Sequence, residues 1–114
     1  MEDKIYTSRL SDFYKDLLTE KQREYFLSYV NDDLSLSEIA DISGISRQGV
    51  WDTIKKASKM LNDFESKVGY MQYYDKVSSA LDAAQAHLTE LSEHKDSSVS
   101  ECAKRAIDAL SSIR

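Results

Sequence analysis

The sequence predicts an all-α protein, a helix-turn-helix bundle with a C-terminal helical extension, and three observations carry that prediction. The 114 residues hold no proline and only three glycines, Gly44, Gly49 and Gly69, so the strongest helix breakers are almost absent. Runs of β-branched residues, which strands recruit, are missing. Apolar residues recur at three- and four-residue spacing along most of the chain. A composition of 41% hydrophobic and 31% charged residues is that of a globular chain rather than a disordered one.

Leu10, Phe13, Tyr14, Leu17 and Leu18 form one apolar stripe and predict a first helix over roughly residues 8–18. Thr19 followed by Gln22 has the spacing of a capping box, which opens a second helix carrying Tyr25, Phe26, Tyr29 and Val30. That helix is expected to end at the polar stretch Asn31-Asp32-Asp33. Ser35 and Glu38 repeat the capping-box spacing at the head of a short third helix with Leu36, Ile39, Ala40 and Ile42. In the turn Ser43-Gly44-Ile45, Gly44 supplies the positive φ that stops a helix. Ser46 then caps a fourth helix, with Arg47 and Gln48 in its first turn.

Beyond this point the spacing becomes heptad-like. Ile54, Ala57, Leu61, Phe64, Val68 and Met71 form one run, and Tyr74, Val77, Leu81, Ala84, Leu88 and Leu91 form a second. The two are out of phase by a stammer next to Gly69, so either one long helix overwinds there or the chain bends. A last helix after His94–Ser98 carries Val99, Cys102, Ala106, Ala109 and Ile113. The stripes pack either within one subunit or against a second copy, and a narrow seam favours the second, a homodimer. The division expected is 1–68 for the helix-turn-helix domain and 69–114 for a helical region able to dimerise.

Residues 35–57 meet the spacing requirements of a helix-turn-helix together. Ala40 is small where the two helices cross, Gly44 makes the turn, and Ile45, Val50 and Ile54 supply apolar contacts. Ser43 stands where a large apolar residue closes the core, with Ile42 beside it to compensate by rotation of the helix. The outward positions of the second helix of this motif are Ser46, Arg47, Gln48, Trp51, Asp52, Lys55, Lys56 and Lys59. Arg47 and Gln48 suit base edges or phosphate, and the lysines suit a backbone or an ordinary solvated face. Trp51 suits stacking on a base or packing against the first helices. Gly49 weakens the helix, and either close approach of its backbone to a partner or simple tolerance accounts for it.

Charge agrees with a localised site rather than bulk attraction to polyanions. The net charge is −5, but residues 46–70 hold five Lys/Arg against three Asp/Glu, while residues 1–45 hold five against ten. The candidate partners are RNA or DNA, and a module that binds only protein is the further alternative. Nothing points to catalysis, a metal or a cofactor. His87 and His94 lack further ligands at metal spacing, three scattered glycines build no phosphate loop, and Cys102 lies on the apolar stripe as a buried thiol. A lone cysteine, no apolar run of membrane length and a charged start at Met1–Tyr6 predict a cytoplasmic protein with no membrane partner.

The runs Leu17–Tyr25 (LLTEKQREY), Asp32–Ala40 (DDLSLSEIA) and Ser46–Lys56 (SRQGVWDTIKK) resemble the YlxM family of bacterial helix-turn-helix proteins, across roughly residues 9–68. The resemblance implies a fold similar to region 4 of sigma factors. It also implies a regulatory link to the signal recognition particle, because genes of the family usually lie beside those of the particle's GTPase and receptor. The resemblance implies a binding helix at Ser46, Arg47, Gln48, Trp51, Asp52, Lys55 and Lys56. Gly49 in place of alanine and Trp51 in place of tyrosine depart from its pattern. Two functional readings stand beside that one: a dimeric DNA-binding transcription regulator and a protein-interaction module.

Overall fold

The structure, a computed structural model, describes residues 3–113. Among them are six α-helices and no strand: α1 Lys4–Tyr14, α2 Glu20–Val30, α3 Leu36–Ser43, α4 Arg47–Val68, α5 Tyr70–Ser92 and α6 Ser97–Ser111. The chain divides into two compact units, one reaching to Met71 and the other starting at Gln72.

The first unit is built around α4, which packs against α1, α2 and α3. Val50, Ile54, Ala57 and Leu61 are the buried face of α4, at spacings of four, three and four. They meet Leu10 and Tyr14 of α1, Tyr25, Phe26 and Val30 of α2, and Ile39 and Ala40 of α3 in one core. Burying a leucine or phenylalanine side chain contributes about 1.5–3 kcal/mol, so these few residues dominate the unit's stability.

Local signals set the helix ends. Asp3 opens α1, accepting the Ile5 and Tyr6 N–H groups. Both expected capping boxes are present: Thr19 with Gln22 on α2, and Ser35 with Glu38 on α3. Gly44 stops α3 at φ 73° and Gly69 stops α4 at φ 68°. A side chain at either φ is disfavoured by a clash of Cβ with the following carbonyl oxygen. The break at Gly69 decides the question the stammer raised: α4 ends there and α5 begins afresh at Tyr70.

Several expectations are corrected. The first helix spans Lys4–Tyr14 rather than 8–18, because residues Lys15–Leu17 tighten into a 3₁₀ turn. That tightening rotates Leu17 into solvent (58% exposed), while Leu18, in extended conformation, still reaches the core. Ile42 does not compensate for Ser43. It is 74% exposed, because Ser43 occupies the inward arc between Ile39 and Ala40. Ile45 and Val68 are also exposed rather than core.

In the second unit, α5 and α6 are joined by a short turn, and the Ser100 hydroxyl donates to the Ser92 carbonyl oxygen at 2.7 Å. Asp96 caps α6 by accepting the Ser98 N–H at 2.9 Å. The buried position of α6 is Ala103, flanked by half-buried Val99, Ala106, Ile107 and Leu110, and Cys102 is exposed. The expected stripe through Cys102, Ala109 and Ile113 is therefore displaced. A straight helix drifts about 20° per heptad, so a seven-residue repeat leaves the packed face. Leu88, Leu91, Val99, Cys102, Ala103 and Ala106 line a shallow apolar groove of about 310 Å³ within this unit. No helix among the described residues is long and apolar enough to cross a membrane.

Candidate nucleic-acid interface

The turn at Gly44 carries the chain from α3 into α4, whose first two turns bury Val50 and Ile54 and leave Ser46, Arg47 and Gln48 exposed. Ser46 caps α4, its hydroxyl oxygen accepting the Gly49 N–H at 3.0 Å. This contact gives Gly49 a local reason. A Cβ there lies 3.2 Å from the Ser46 hydroxyl and 3.6 Å from Ile45 Cδ1, so a larger residue crowds the cap.

At 100° per residue, Gln48, Asp52, Lys55 and Lys59 fall on one arc of α4 opposite its buried face, with Lys56 at its edge. All five are exposed. Asp52 sits at the centre of this arc and organises it. Its Oδ1 accepts from Gln48 Nε2 at 2.9 Å and lies 3.9 Å from Lys55 Nζ. The arc therefore presents a tethered amide and a half-neutralised lysine, then Lys59, with a carboxylate in their midst. An exposed pair of this kind is worth about 0–1 kcal/mol, so it orients side chains more than it stabilises the fold.

Arg47 and Trp51 occupy a different arc, turned toward α2 and α3. Trp51 is half-buried and meets Tyr29 of α2 edge-to-face, with ring centroids 6.0 Å apart at 65°. Lys55 Nζ lies 5.9 Å from the Trp51 ring and Lys4 Nζ 4.3 Å from the Tyr29 ring. These cations and rings form a continuous series from α1 across α2 to α4.

Beside them is an open groove of about 890 Å³. One wall is Ser46, Arg47, Gln48 and Trp51 of α4, and the other is Tyr29 with Ser35, Leu36 and Ser37 at the start of α3. Arg47 is the sole charged residue of this lining, and no described residue pairs with its guanidinium. At the groove's margin the Glu38 carboxylate is folded back onto the Ser35 N–H at 3.0 Å.

The structure thus divides the eight candidate residues. Ser46, Arg47, Gln48 and Trp51 line the groove, whereas Asp52, Lys55, Lys56 and Lys59 lie along the outward face, with Gln48 at the border of the two. Ser46 also acts as a helix cap. Sequence reasoning missed Tyr29, Ser35, Leu36, Ser37 and Lys4. Tyr29 and Leu36 read as core positions by spacing, and only their partial exposure places them in the groove lining. Nothing in the sequence joins Lys4 to Tyr29, because that contact is made across two helices. The remaining chemistry-bearing residues form no centre: His87, His94 and Cys102 are exposed, and no group of three His, Cys, Asp or Glu among the described residues is placed to hold a metal.

Residues 1–99 match the UPF0122 family of helix-turn-helix proteins, described as YlxM / p13 like. A UPF0122 protein of Thermoanaerobacter sp. is 44% identical over 81 residues, covering 71% of this chain and 69% of the relative. One from Clostridium botulinum is 49% identical over 72 residues, covering 63% and 66%. Another, from Clostridium perfringens, is 39% identical over 108 residues and covers 95% of this chain and 92% of its own.

Proposed function

Since this chain belongs to the YlxM / p13-like family of helix-turn-helix proteins, we propose that it is a non-catalytic regulator that binds nucleic acid through the first turns of α4. The observation that carries this reading is Arg47, with which no described residue pairs, at the head of a half-exposed aromatic groove, with lysines continuing along the same helix. Arg and Lys at such positions hold phosphates, and a neighbouring amide such as Gln48 suits base edges.

The pathway proposed is protein targeting by the signal recognition particle, with the particle's RNA or its protein component as the partner, in the cytoplasm. It rests on the three sequence motifs that resemble the family and on the gene neighbourhood that the resemblance implies, rather than on geometry. Titrating the protein into the targeting GTPase with its RNA present is expected to change GTP turnover in a saturable way. A flat titration removes the pathway assignment while leaving nucleic-acid binding standing.

A dimeric DNA-binding regulator is the second reading, favoured by exposed apolar residues on the C-terminal helices, among them Tyr73, Tyr74 and Leu91. It requires two half-sites about one helical turn apart in a footprint on duplex DNA. Light scattering measures the homodimer directly, and a clean 13.0 kDa species contradicts it.

A further inference from the structure

We propose that the groove between the starts of α3 and α4 receives an unpaired nucleobase from a single-stranded segment of RNA. The base stacks at Trp51, with Arg47 on the adjoining phosphate. The inference rests on the nucleic-acid reading above and specifies the form of ligand that it takes.

Three observations favour an unpaired base over the edges of a duplex. First, the face of α4 that a major groove receives has Asp52 at its centre, and this carboxylate already holds Gln48 at 2.9 Å and Lys55 at 3.9 Å. The lysines of this face can still pair phosphates, but the carboxylate stands where base edges are read and ties up the one amide of this arc that would read them. Second, the neighbouring groove has the opposite character. Its one charge is Arg47, and serine hydroxyls and the Gln48 amide surround two aromatic rings. Third, Tyr29 and Trp51 are half-exposed rings that meet edge-to-face at 65°, with Lys4 Nζ 4.3 Å and Lys55 Nζ 5.9 Å from their respective centroids. A base that stacks at Trp51 displaces the exposed Lys55 side chain toward its phosphate, and aromatic rings flanked by cations hold single-stranded bases through stacking that needs no base pair.

The groove is open to solvent, and its volume of about 890 Å³ admits a base together with its sugar and phosphate. RNA is the source of such bases, since its loops and bulges splay bases out where duplex DNA keeps them stacked.

Trp51 is the sole tryptophan of the chain, so its fluorescence reports on the site. The probes are a fluorescein-labelled twelve-nucleotide RNA of mixed, non-self-complementary sequence, the same RNA annealed to its complement, and the equivalent single-stranded DNA. The full-length protein is titrated with unlabelled strands for quenching and into labelled strands for anisotropy. Single-stranded RNA is expected to quench Trp51 saturably and to bind at least tenfold more tightly than the duplex. Trp51→Ala is expected to weaken that binding about tenfold by anisotropy, and Trp51→Phe, which keeps a ring, to restore most of it. Arg47→Ala is expected to weaken binding and to lower the slope of log affinity against log salt by about one phosphate's share.

Tighter binding of the duplex, or equal binding by Trp51→Ala with an unchanged thermal melt, overturns the inference and leaves nucleic-acid binding intact. Tighter binding of single-stranded DNA keeps the stacking site and overturns its assignment to RNA. Failure of the protein to bind any of the three strands overturns both this inference and the reading beneath it.

Discussion

At the level of single residues, the most consequential cluster outside the groove is at the α4–α5 junction. Buried Tyr14 donates its hydroxyl hydrogen to Glu65 Oε1 at 2.6 Å. The same carboxylate oxygen accepts the Met71 N–H at 3.0 Å, and the Tyr14 oxygen accepts the Tyr70 N–H at 3.1 Å. Two N–H groups that the start of α5 leaves without helical partners are thereby satisfied. Removing the hydroxyl in Tyr14→Phe strands one of them and takes a donor from Glu65. A loss of about 1–3 kcal/mol is expected in urea denaturation near neutral pH. Burial, and then the hydrogen bond to Glu65, raise the Tyr14 pKa above its ordinary 10.0. The neutral ring is thus favoured in the folded state. Its contribution is complete below pH 10 and is lost as pH rises through the raised value. The stability gap between the protein and Tyr14→Phe is expected to narrow above pH 10, and a gap constant from pH 8 to 11 contradicts the role given to this hydroxyl.

Among the elements, helix ends decide more than helix middles. Replacing Thr19 or Ser35 by alanine removes a cap and is expected to cost about 1 kcal/mol by thermal denaturation. Gly44→Ala and Gly69→Ala meet open space but retain a positive φ, so each is expected to destabilise through the backbone alone. The second unit depends on a titratable cap. The Ser98 side chain, and then its backbone N–H, lower the Asp96 pKa from its ordinary 3.8. The cap is therefore fully present above about pH 4 and is lost as pH falls through the lowered value. Backbone chemical shifts at 97–101 are expected to lose helical character on acidification to pH 2. Asp96→Asn keeps a capping oxygen that does not titrate, and is expected to flatten that change.

For the molecule as a whole, a net charge of −5 alongside a cationic helix predicts selective, salt-sensitive binding in place of general attraction to polyanions. Lys56→Ala with Lys59→Ala is expected to leave the melt within about 0.5 kcal/mol of the parent, since both side chains are exposed and no described residue pairs with either. The same double substitution is expected to reduce the salt slope of RNA binding. A large loss of stability instead makes these lysines structural.

The sequence by itself determined the all-α class, both capping boxes, the glycine corner between α3 and α4 and the buried face of α4 as far as Leu61. Each depends on residues within about one or two helical turns of one another, where spacing and chemistry act directly. Only the tertiary structure decided that Leu17 and Ile42 face solvent, that Cys102 lies off the packed face of α6, and that Tyr29, Leu36 and Trp51 share a groove with Arg47. Those outcomes depend on how helices rotate against one another to bury the most apolar surface. A side chain half-covered by a neighbouring helix has the same sequence spacing as one fully buried, and the difference is what leaves an aromatic ring available to a partner.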